Sequence, residues 1–382
     1  MKRIIAAAAA LTAALLFPVK VEALSARRAL VLDSLTGRVL YEKDPDIRSL
    51  IASTTKIMTA LVVCEQCNVL DRMRIPKEAV GVEGSSMYLK EGEVLTIQEL
   101  LYGLMLSSGN DAAVALAIYC GGTVEGFAEL MNDRAASLGL NHTHFENPNG
   151  LDSPGHYSTA RDLAVLSAHA MENPIFAQTV SAKEIRIGHR FLHNHNKLLW
   201  RMEGAEGIKT GYTKAAGRIL ASSAMRQGRR VIAVTLNDPD DWNDHISLMN
   251  QAFSGYAVRE IVRKGQKITT LEAVGGEQTE VPVYAGASFS YALTPEETPK
   301  VVLPGPGFVY PPVEEGAEAG TAYVMLEGRV IGKIPAFYGE TVEEKKNSSW
   351  IQRLFGGNRH GAITENSFRQ GRGVPAEGGA DD

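Results

Sequence analysis

Apolar and polar residues recur with two different periods along the chain, and this difference predicts where its elements lie. Near the start, residues 30–32 and 39–41 are strand-like and are joined by a turn that ends in Gly37, which predicts a β-hairpin. The next apolar run, LIASTTKIMTALVV at residues 50–63, predicts a buried helix. A lysine and four hydroxyls interrupt this run, so the same stretch also raises a question of chemistry.

The middle of the chain is predicted to be largely helical. Thr96 and Glu99 have the spacing of a capping box, and the apolar residues after them keep helical intervals. This helix is predicted to stop at SSGND, where Asn110 or Asp111 can cap the next helix.

Another capping box is predicted at Thr159 and Asp162, and beyond it the period changes to two. Residues 207–213, 217–225 and 230–238 are three strand candidates, and the last two are joined so tightly that they must be antiparallel. A final helix follows, and its predicted apolar face consists of Ile246, Met249, Phe253 and Tyr256.

The order of these segments predicts the fold class and the domains. A hairpin, then helices, then strands and a helix predict an α+β domain over residues 24–258, whose first and last strands share an antiparallel sheet. Residues 259–340 contain short β-like runs broken by Gly and Pro, which predict a small all-β domain. Residues 341–382 become rich in Gly, Arg and Asn and are predicted to be a flexible tail.

The first 23 residues are predicted to be a secretory signal peptide. Lys2 and Arg3 precede an apolar core at residues 4–17, and small residues end the segment, so cleavage is expected near Ala23 or Ala26. A retained membrane anchor is the weaker interpretation, because the apolar run is shorter than the ~20 residues that a span needs. No later segment is long and apolar enough to span, so the mature protein is expected to be soluble or peripheral outside the cytoplasm, in the cell wall or periplasm or on the outer face of the membrane.

Composition excludes some classes of function. A net charge of −5 disfavours nucleic acid as a partner. Cys64 and Cys67 form a C-x-x-C, which suggests a redox or metal site, but no second Cys pair or His cluster completes one, so we interpret them as structural or incidental. His193 and His195 lack a third ligand, so neither a metal nor a cofactor is expected.

Ser53 and Lys56 are the first candidates for catalysis. Their spacing of three places both side chains on one helix face, about a turn apart. A serine hydroxyl needs a nearby base, and a lysine can be that base if burial and cationic neighbours lower its pKa. Taken alone, the pair is weak evidence, since a lysine that reaches past apolar neighbours to solvent explains it equally.

Two further motifs add specificity. Ser108 and Asn110 lie at a predicted break between helices, where a hydroxyl can pass a proton and a carboxamide can bind an amide, although a simple turn would look the same. Lys209-Thr210-Gly211 opens a predicted strand, where a cation and a hydroxyl suit a carboxylate and the glycine admits a substrate backbone, although a bulge glycine is the plain alternative. The order S-x-x-K, S-x-N, K-T-G matches the signature of penicillin-binding proteins and class A β-lactamases.

From Ser25 to about Tyr338 the chain resembles the D-alanyl-D-alanine carboxypeptidases, which are low-molecular-mass penicillin-binding proteins. The stretches LLYGLMLSSGNDAAVALA and NHNKLLWRMEGAEGIKTGYTKAAGR carry the resemblance beyond the motifs. It implies a β-lactamase/transpeptidase-like catalytic domain of an antiparallel sheet and a helical cluster. Many relatives end in a membrane-binding helix, but here only WIQRLF at residues 350–355 hints at one, so any membrane contact is expected to be weak and peripheral.

The resemblance also implies a role for each motif residue. Ser53 attacks the carbonyl between the two terminal D-alanines of a peptidoglycan stem peptide, Lys56 accepts its proton, Ser108 relays a proton to the leaving amine, and Asn110 orients the substrate amide. The substrate-binding residues are Lys209, Thr210, Gly211 and Tyr212. Lys209 and Thr210 bind the terminal carboxylate, and the backbone N–H groups of Ser53 and Tyr212 form the oxyanion hole. β-Lactams are expected to trap Ser53.

Three other functions compete with this interpretation. A β-lactamase on the same scaffold would need a deacylating glutamate, for which Glu146 is in roughly the right region. A silent peptidoglycan-binding protein would show a broken motif, and all three motifs are intact. A Ser-His-Asp hydrolase would carry a G-x-S-x-G elbow, which the sequence lacks.

Overall fold

The computed structural model describes residues 24–346, which fall into two compact units. The first takes the described part of Met1–Arg263 with Ser288–Lys300 and Met325–Gly332, and the second takes Lys264–Ala287, Val301–Val324 and the described part of Lys333–Asp382. Because neither unit is one continuous stretch, the predicted boundary at residues 258 and 259 stays a prediction. The predicted signal peptide, residues 1–23, and the predicted tail beyond residue 346 lie outside the described residues.

The helices and strands up to residue 255 belong to the first unit. In chain order they are β1 (Arg28–Asp33), β2 (Val39–Lys43), a 3₁₀ turn (Ala52–Thr55), α1 (Lys56–Gln66), β3 (Arg72–Arg74), a 3₁₀ turn (Lys77–Ala79), β4 (Val94–Thr96), α2 (Ile97–Leu106), α3 (Asn110–Gly121), α4 (Val124–Ser137), α5 (Ala160–Ala170), α6 (Pro174–Ser181), β5 (Glu184–Ile187), β6 (Arg190–His193), α7 (Leu198–Arg201), β7 (Ala205–Thr213), β8 (Gly217–Arg226), β9 (Arg229–Leu236) and α8 (Asp241–Gly255).

A five-stranded sheet in the order β2-β1-β9-β8-β7 is the frame of this unit. The first and last strands share it, and each described pairing is antiparallel, as predicted. Strand β9 is buried on both faces, with Ile232 and Val234 packing on the helical side and Val231 and Ala233 packing on the side of α8. This alternation places the sheet between a helical cluster and α8. Strand β7 ends the sheet and is therefore an edge strand.

Helix α1 lies at the centre of the helical cluster. Its residues from Lys56 to Val63 are all buried, because α2, α3, α4, α5 and α6 pack around it.

The predicted capping box of α2 is confirmed: Thr96 Oγ1 accepts from the Glu99 amide at 3.1 Å, and Glu99 accepts from the Thr96 amide at 2.7 Å. A helix that is apolar on all sides needs such local signals at its ends, since hydrophobic periodicity does not mark them.

Three local predictions need correction. Neither Asn110 nor Asp111 caps α3: Gly109 is the N-cap, and both side chains are drawn to other partners. At α5 only half of the predicted box forms, because Thr159 accepts from the Asp162 amide whereas the Asp162 carboxylate accepts from a neighbouring loop. Tyr256, predicted on the apolar face of the last helix, lies just beyond the end of α8.

The cysteines are joined in a way that the sequence did not indicate. Cys67, just after α1, forms a disulfide with Cys120 near the end of α3, and Cys64 is free. The C-x-x-C pair is therefore not a unit. Its second cysteine has a structural role, since the disulfide ties two helices of the cluster together.

The remaining strands follow α8, and β11, β12 and β15 lie wholly in the second unit. In chain order they are β10 (Ala257–Val262), β11 (Lys267–Ala273), β12 (Glu280–Ala285), β13 (Phe289–Leu293), β14 (Lys300–Val302), β15 (Phe308–Val309), β16 (Glu318–Leu326) and β17 (Arg329–Tyr338). Strands β10 and β13 pair with each other, and the other six form a sheet in the order β14-β16-β17-β12-β11-β15. The predicted all-β character of this region is confirmed.

Among residues 24–346, no single helix is both long and apolar enough to cross a membrane. The pair α3 and α4 passes the length and composition criteria jointly, but the two helices are bent by 81°.

Candidate active site

The candidate nucleophile lies on a tight turn rather than in the body of a helix. Ser53 belongs to the 3₁₀ turn that precedes α1, and Ala52 before it has a φ of 44°. Thr54 donates to the Ile51 carbonyl and Thr55 donates to the Ala52 carbonyl, so these two hydroxyls hold the turn. The helix predicted through Ser53 therefore begins three residues later, at Lys56.

Lys56 is the most enclosed polar group of the site. Its side chain is fully buried, and Nζ donates to Ser53 Oγ at 3.0 Å, to Asn110 Oδ1 at 2.7 Å and to the Asn149 carbonyl at 2.6 Å. Burial lowers the pKa of Lys56 well below its usual value, the charge of Lys209 lowers it further, and Asp111 opposes both. A lysine so placed can take a proton from Ser53.

The second motif occupies the break between α2 and α3. Ser108 is nearly buried, has a φ of 58° and borders the cleft in front of Ser53. The Asn110 carboxamide is engaged at both ends, because Oδ1 accepts from Lys56 and Nδ2 donates to the Glu83 carbonyl at 2.5 Å. In this arrangement Asn110 positions the lysine.

The third motif lies along the edge strand β7. Thr210, Gly211 and Tyr212 line the cleft, whereas Lys209 is 1% exposed and donates to the Thr210 carbonyl at 3.0 Å. Burial lowers the pKa of Lys209 to about 7. A Cβ on Gly211 would lie 3.3 Å from the Ser53 amide nitrogen, so this strand runs directly against the nucleophile turn.

Several contributors were missed because their signal is not in a side-chain motif. The Asn149 carbonyl holds Lys56, and Gly150 lies so close to the turn that a Cβ there would meet the Ala52 carbonyl oxygen at 2.0 Å. Its φ of 88° is also one that favours glycine. The dipeptide Asn149-Gly150 reads as a turn, which is the one signal that could have drawn attention to it.

A loop over the second motif was also missed. Asp111 accepts from the Met87 and Leu89 amides at 3.1 and 3.0 Å, so it anchors this loop on α3. Arg190 holds the same loop from the other side, since it donates to the Met87 carbonyl at 2.7 Å. Ser85 brings the loop to the cleft.

The cleft has a volume of about 570 Å³ and joins residues from distant parts of the chain. Its lining consists of Ser53, Ser85, Ser108, His195, Thr210, Gly211, Tyr212, Arg218, Asp241 and Trp242. Of the eight predicted site residues, five thus reach the cleft, and Lys56, Asn110 and Lys209 are buried behind it. Of the two histidines considered as a metal pair, His195 borders the cleft, while His193 contacts Glu184 and stacks on Trp200.

Features of the alternative functions lie away from this arrangement. Glu146 is exposed, accepts from Ser153 and from the Gly155 amide, and does not line the cleft. Among residues 24–346 there is no group of three or more His, Cys, Asp or Glu side chains that could hold a metal.

Comparisons with known proteins agree with this geometry. A family model described as D-alanyl-D-alanine carboxypeptidase matches residues 16–240, and one described as penicillin-binding protein 5, C-terminal domain, matches residues 256–344. The carboxypeptidase DacF of Bacillus subtilis is 30% identical over 87% of this chain and 89% of its own length. The carboxypeptidase DacC of Escherichia coli is 32% identical over 85% of this chain and 86% of its own.

A solved structure gives the same result for the fold. Penicillin-binding protein 5 from Haemophilus influenzae superposes with a TM-score of 0.72 and 28% identity, covering 84% of this chain and 98% of that one. The serine-type hydrolase predicted from the motifs is therefore confirmed, and the β-lactamase alternative is not favoured. The chain belongs to the D-alanyl-D-alanine carboxypeptidase family.

Proposed function

We propose that this chain removes the terminal D-alanine from peptidoglycan stem peptides through an acyl-enzyme on Ser53. The observation that carries the proposal is the 3.0 Å contact between Lys56 Nζ and Ser53 Oγ, made by a lysine that is buried and has a lowered pKa. A neutral lysine at this distance is a general base for the serine. Asn110 and the Asn149 carbonyl keep it there.

In the acylation step, Ser53 Oγ attacks the carbonyl between the two D-alanines, and its proton passes to Lys56. The developing oxyanion receives hydrogen bonds from the backbone N–H groups of Ser53 and Tyr212, each worth about 3–4 kcal/mol in comparable enzymes. The close approach of Gly211 to the Ser53 amide, where an added Cβ would lie 3.3 Å from the nitrogen, supports this pairing, because it brings the two backbones side by side.

Collapse of the intermediate breaks the C–N bond and releases D-alanine. Ser108, which borders the cleft at the end of α2, relays the proton from Lys56 to the leaving amine. Water then attacks the ester and releases the shortened peptide, while Lys56 takes and returns a proton as before.

The terminal carboxylate is proposed to bind at Thr210, with Lys209 behind it. Thr210 lines the cleft and offers a hydroxyl, while Lys209 contributes charge through the strand rather than by a contact at the surface. Gly211 admits the substrate backbone. β-Lactams are proposed as inhibitors that acylate Ser53, and the site of action is proposed to be extracytoplasmic, as the predicted signal peptide implies.

The test combines labelling by a fluorescent penicillin with D-alanine release from a pentapeptide. Ser53→Ala should abolish both signals, and Lys56→Ala should slow acylation about 10²- to 10⁴-fold, as loss of a general base does. Ser49→Ala is the matched control, because its hydroxyl donates to the Ile47 carbonyl in the preceding loop and lies outside the cleft lining.

Two outcomes would contradict the proposal. Penicillin labelling that survives Ser53→Ala would exclude Ser53 as the nucleophile. Labelling of the wild type without any release of D-alanine would leave the fold assignment intact and remove the proposed reaction.

A further inference from the structure

One wall of the cleft is built by residues outside the three motifs. Arg218 is the second residue of β8 and the register partner of Tyr212 across the β7–β8 pairing. Asp241 and Trp242, the first residues of α8, complete this wall. The wall therefore lies just beyond the Tyr212 end of the edge strand.

The guanidinium of Arg218 is held in a defined orientation. Its Nη2 donates to Asp241 Oδ1 at 2.5 Å, and its central carbon lies 5.7 Å from the centre of the Trp242 ring. Its side chain is nevertheless 42% exposed. Within residues 24–346, Asp241 is the sole hydrogen-bond acceptor of this guanidinium, and Nε is buried without a partner, so the exposed part of the group leaves Nη1 and the second N–H of Nη2 for a ligand.

The direction of the substrate, which rests on the function proposed above, leads toward this wall. The scissile carbonyl is placed at the Tyr212 amide and the terminal carboxylate at Thr210, two residues back along β7. The rest of the stem peptide must then continue in the opposite sense, past Tyr212. At about 3.3 Å per residue, the second and third residues upstream of the scissile bond come within reach of a long arginine side chain.

Charge selects what this wall can bind. Lys56 and Lys209 are buried behind the cleft. Among the described residues, the cleft lining contains one Lys or Arg side chain, which is Arg218. A guanidinium stays charged at every relevant pH and binds carboxylates through two parallel hydrogen bonds. Asp241 occupies one side of the group and leaves the other free for such an interaction.

We propose that Arg218, oriented by Asp241 and Trp242, binds a free carboxylate that the stem peptide carries upstream of its D-Ala-D-Ala terminus. Two residues of stem peptides supply such a group: a γ-linked D-glutamyl residue, through its α-carboxylate, and a diaminopimelyl residue, through its side-chain carboxylate. Arg218 is thereby a specificity-determining residue for the donor peptide and takes no part in the bond exchange at Ser53.

The experiment measures kcat/KM for D-alanine release from peptides that differ only upstream. A diacetyl-L-lysyl-D-Ala-D-Ala peptide carries no upstream carboxylate, a γ-D-glutamyl-L-lysyl peptide carries the first, and a diaminopimelyl peptide with amidated glutamate carries the second. Wild type, Arg218→Gln, Arg218→Lys and the control Arg226→Gln are compared. Arg226 lies at the far end of the same strand, outside the cleft lining, and binds Asn250.

Arg218→Gln should lower kcat/KM about 10- to 100-fold for one or both carboxylate peptides, the size expected for a charge-assisted hydrogen bond. It should leave the diacetyl peptide within about threefold of wild type. The carboxylate peptide that loses most identifies the group bound. Arg218→Lys should recover part of the loss, and Arg226→Gln should change none of the three.

An equal loss on all three peptides, or no loss on any, would overturn the proposal. Fluorescent penicillin reports separately on folding and on Ser53, so a misfolded Arg218→Gln is recognised by its failure to label. In that case the wild type decides alone: it must prefer a carboxylate peptide over the diacetyl peptide at least tenfold, and equal rates would refute the idea. Failure of the proposed function looks different, because the wild type would then release D-alanine from none of the peptides.

Discussion

At the scale of single residues, the site depends on keeping two lysines buried close to each other. Burial lowers the pKa of both Lys56 and Lys209, and the charge of Lys209 lowers that of Lys56 further. A buried cation is normally destabilising, but for Lys56 the loss of the proton is the useful property, because it leaves a neutral base beside Ser53. In the proposed mechanism, Lys209 therefore acts on Ser53 through Lys56 as well as on the substrate carboxylate.

Replacing Lys209 by glutamine tests this coupling. Removing the neighbouring cation raises the pKa of Lys56, so a smaller fraction of Lys56 is neutral in the variant than in the wild type at the same pH. The acid limb of penicillin acylation therefore moves to higher pH. D-Alanine release should also fall about 10- to 100-fold, because the carboxylate loses its cation. The pH dependence of the acylation rate is the measurement.

The exposed Lys214, five residues on, provides the control for that experiment. Lys214→Gln should leave both the acid limb and the rate unchanged. An acid limb of Lys209→Gln that stays in place, or moves to lower pH, would show that Lys209 does not set the pKa of Lys56.

At the scale of elements, the sequence predictions are accurate where residues close in sequence determine the structure and wrong where distant residues do. The first hairpin, the box of Thr96 and Glu99 and the late meander were predicted because neighbours within a few residues determine them. The turn at residues 52–55 was not, since it is packed against Gly150, about a hundred positions away. The prediction that Asn110 caps α3 was likewise wrong, because its carboxamide oxygen accepts a hydrogen bond from Lys56, 54 residues away in sequence.

The disulfide between Cys67, just after α1, and Cys120 in α3 also joins residues that are distant in sequence, and its contribution to stability can be tested. Its cysteines are 53 residues apart, so opening it should lower the free energy of unfolding of the first unit by about 2–4 kcal/mol through chain entropy. We expect this loss for the double variant Cys67→Ser/Cys120→Ser in urea, followed by tryptophan fluorescence. Cys64→Ala, which removes the free thiol only, should cost less. A double variant as stable as the wild type would contradict the expectation.

At the scale of the whole first unit, the motifs fix the chemistry but not the walls of the cleft. Ser53, Ser108 and Thr210 were found from sequence because each belongs to a short pattern. Arg218, Asp241 and Trp242 reach the same cleft only because β8 and α8 are brought to it by the sheet. No local pattern marks residues that meet through tertiary packing alone.

The packing of α8 on the sheet predicts how the unit responds to acid. His245 is buried between Ser222 and Thr235, at 2.6 and 2.9 Å, and burial lowers its pKa to about 3. Below pH 6.5, His245 is protonated in the unfolded chain but stays neutral in the native state. The contribution of His245 to the free energy of unfolding therefore falls by about 1.4 kcal/mol per pH unit down to about pH 3.

His245→Gln should be less stable than wild type at pH 7, by about 1–3 kcal/mol, and should lose less stability between pH 6.5 and 4. Asp238 affects stability in the same pH range with the opposite sign. Burial raises its pKa to about 6, so as the pH falls the native state binds this proton before the unfolded chain does, which adds to the free energy of unfolding. The difference between wild type and variant cancels this contribution. Parallel curves of unfolding free energy against pH would rule out a buried neutral histidine.

The position of β7 at the edge of its sheet has a consequence for escape from inhibitors. In the proposed mechanism, that strand offers the substrate its main-chain amides and carbonyls, and every residue except proline carries the same N–H. A point mutation of Tyr212 to any residue other than proline changes the side chain but leaves the oxyanion donor in place. Substitutions of the Tyr212 side chain are therefore not expected to remove the main-chain donor that a β-lactam uses, so escape from such an inhibitor is expected from changes in the side chains of the cleft or from faster hydrolysis of the acyl-enzyme.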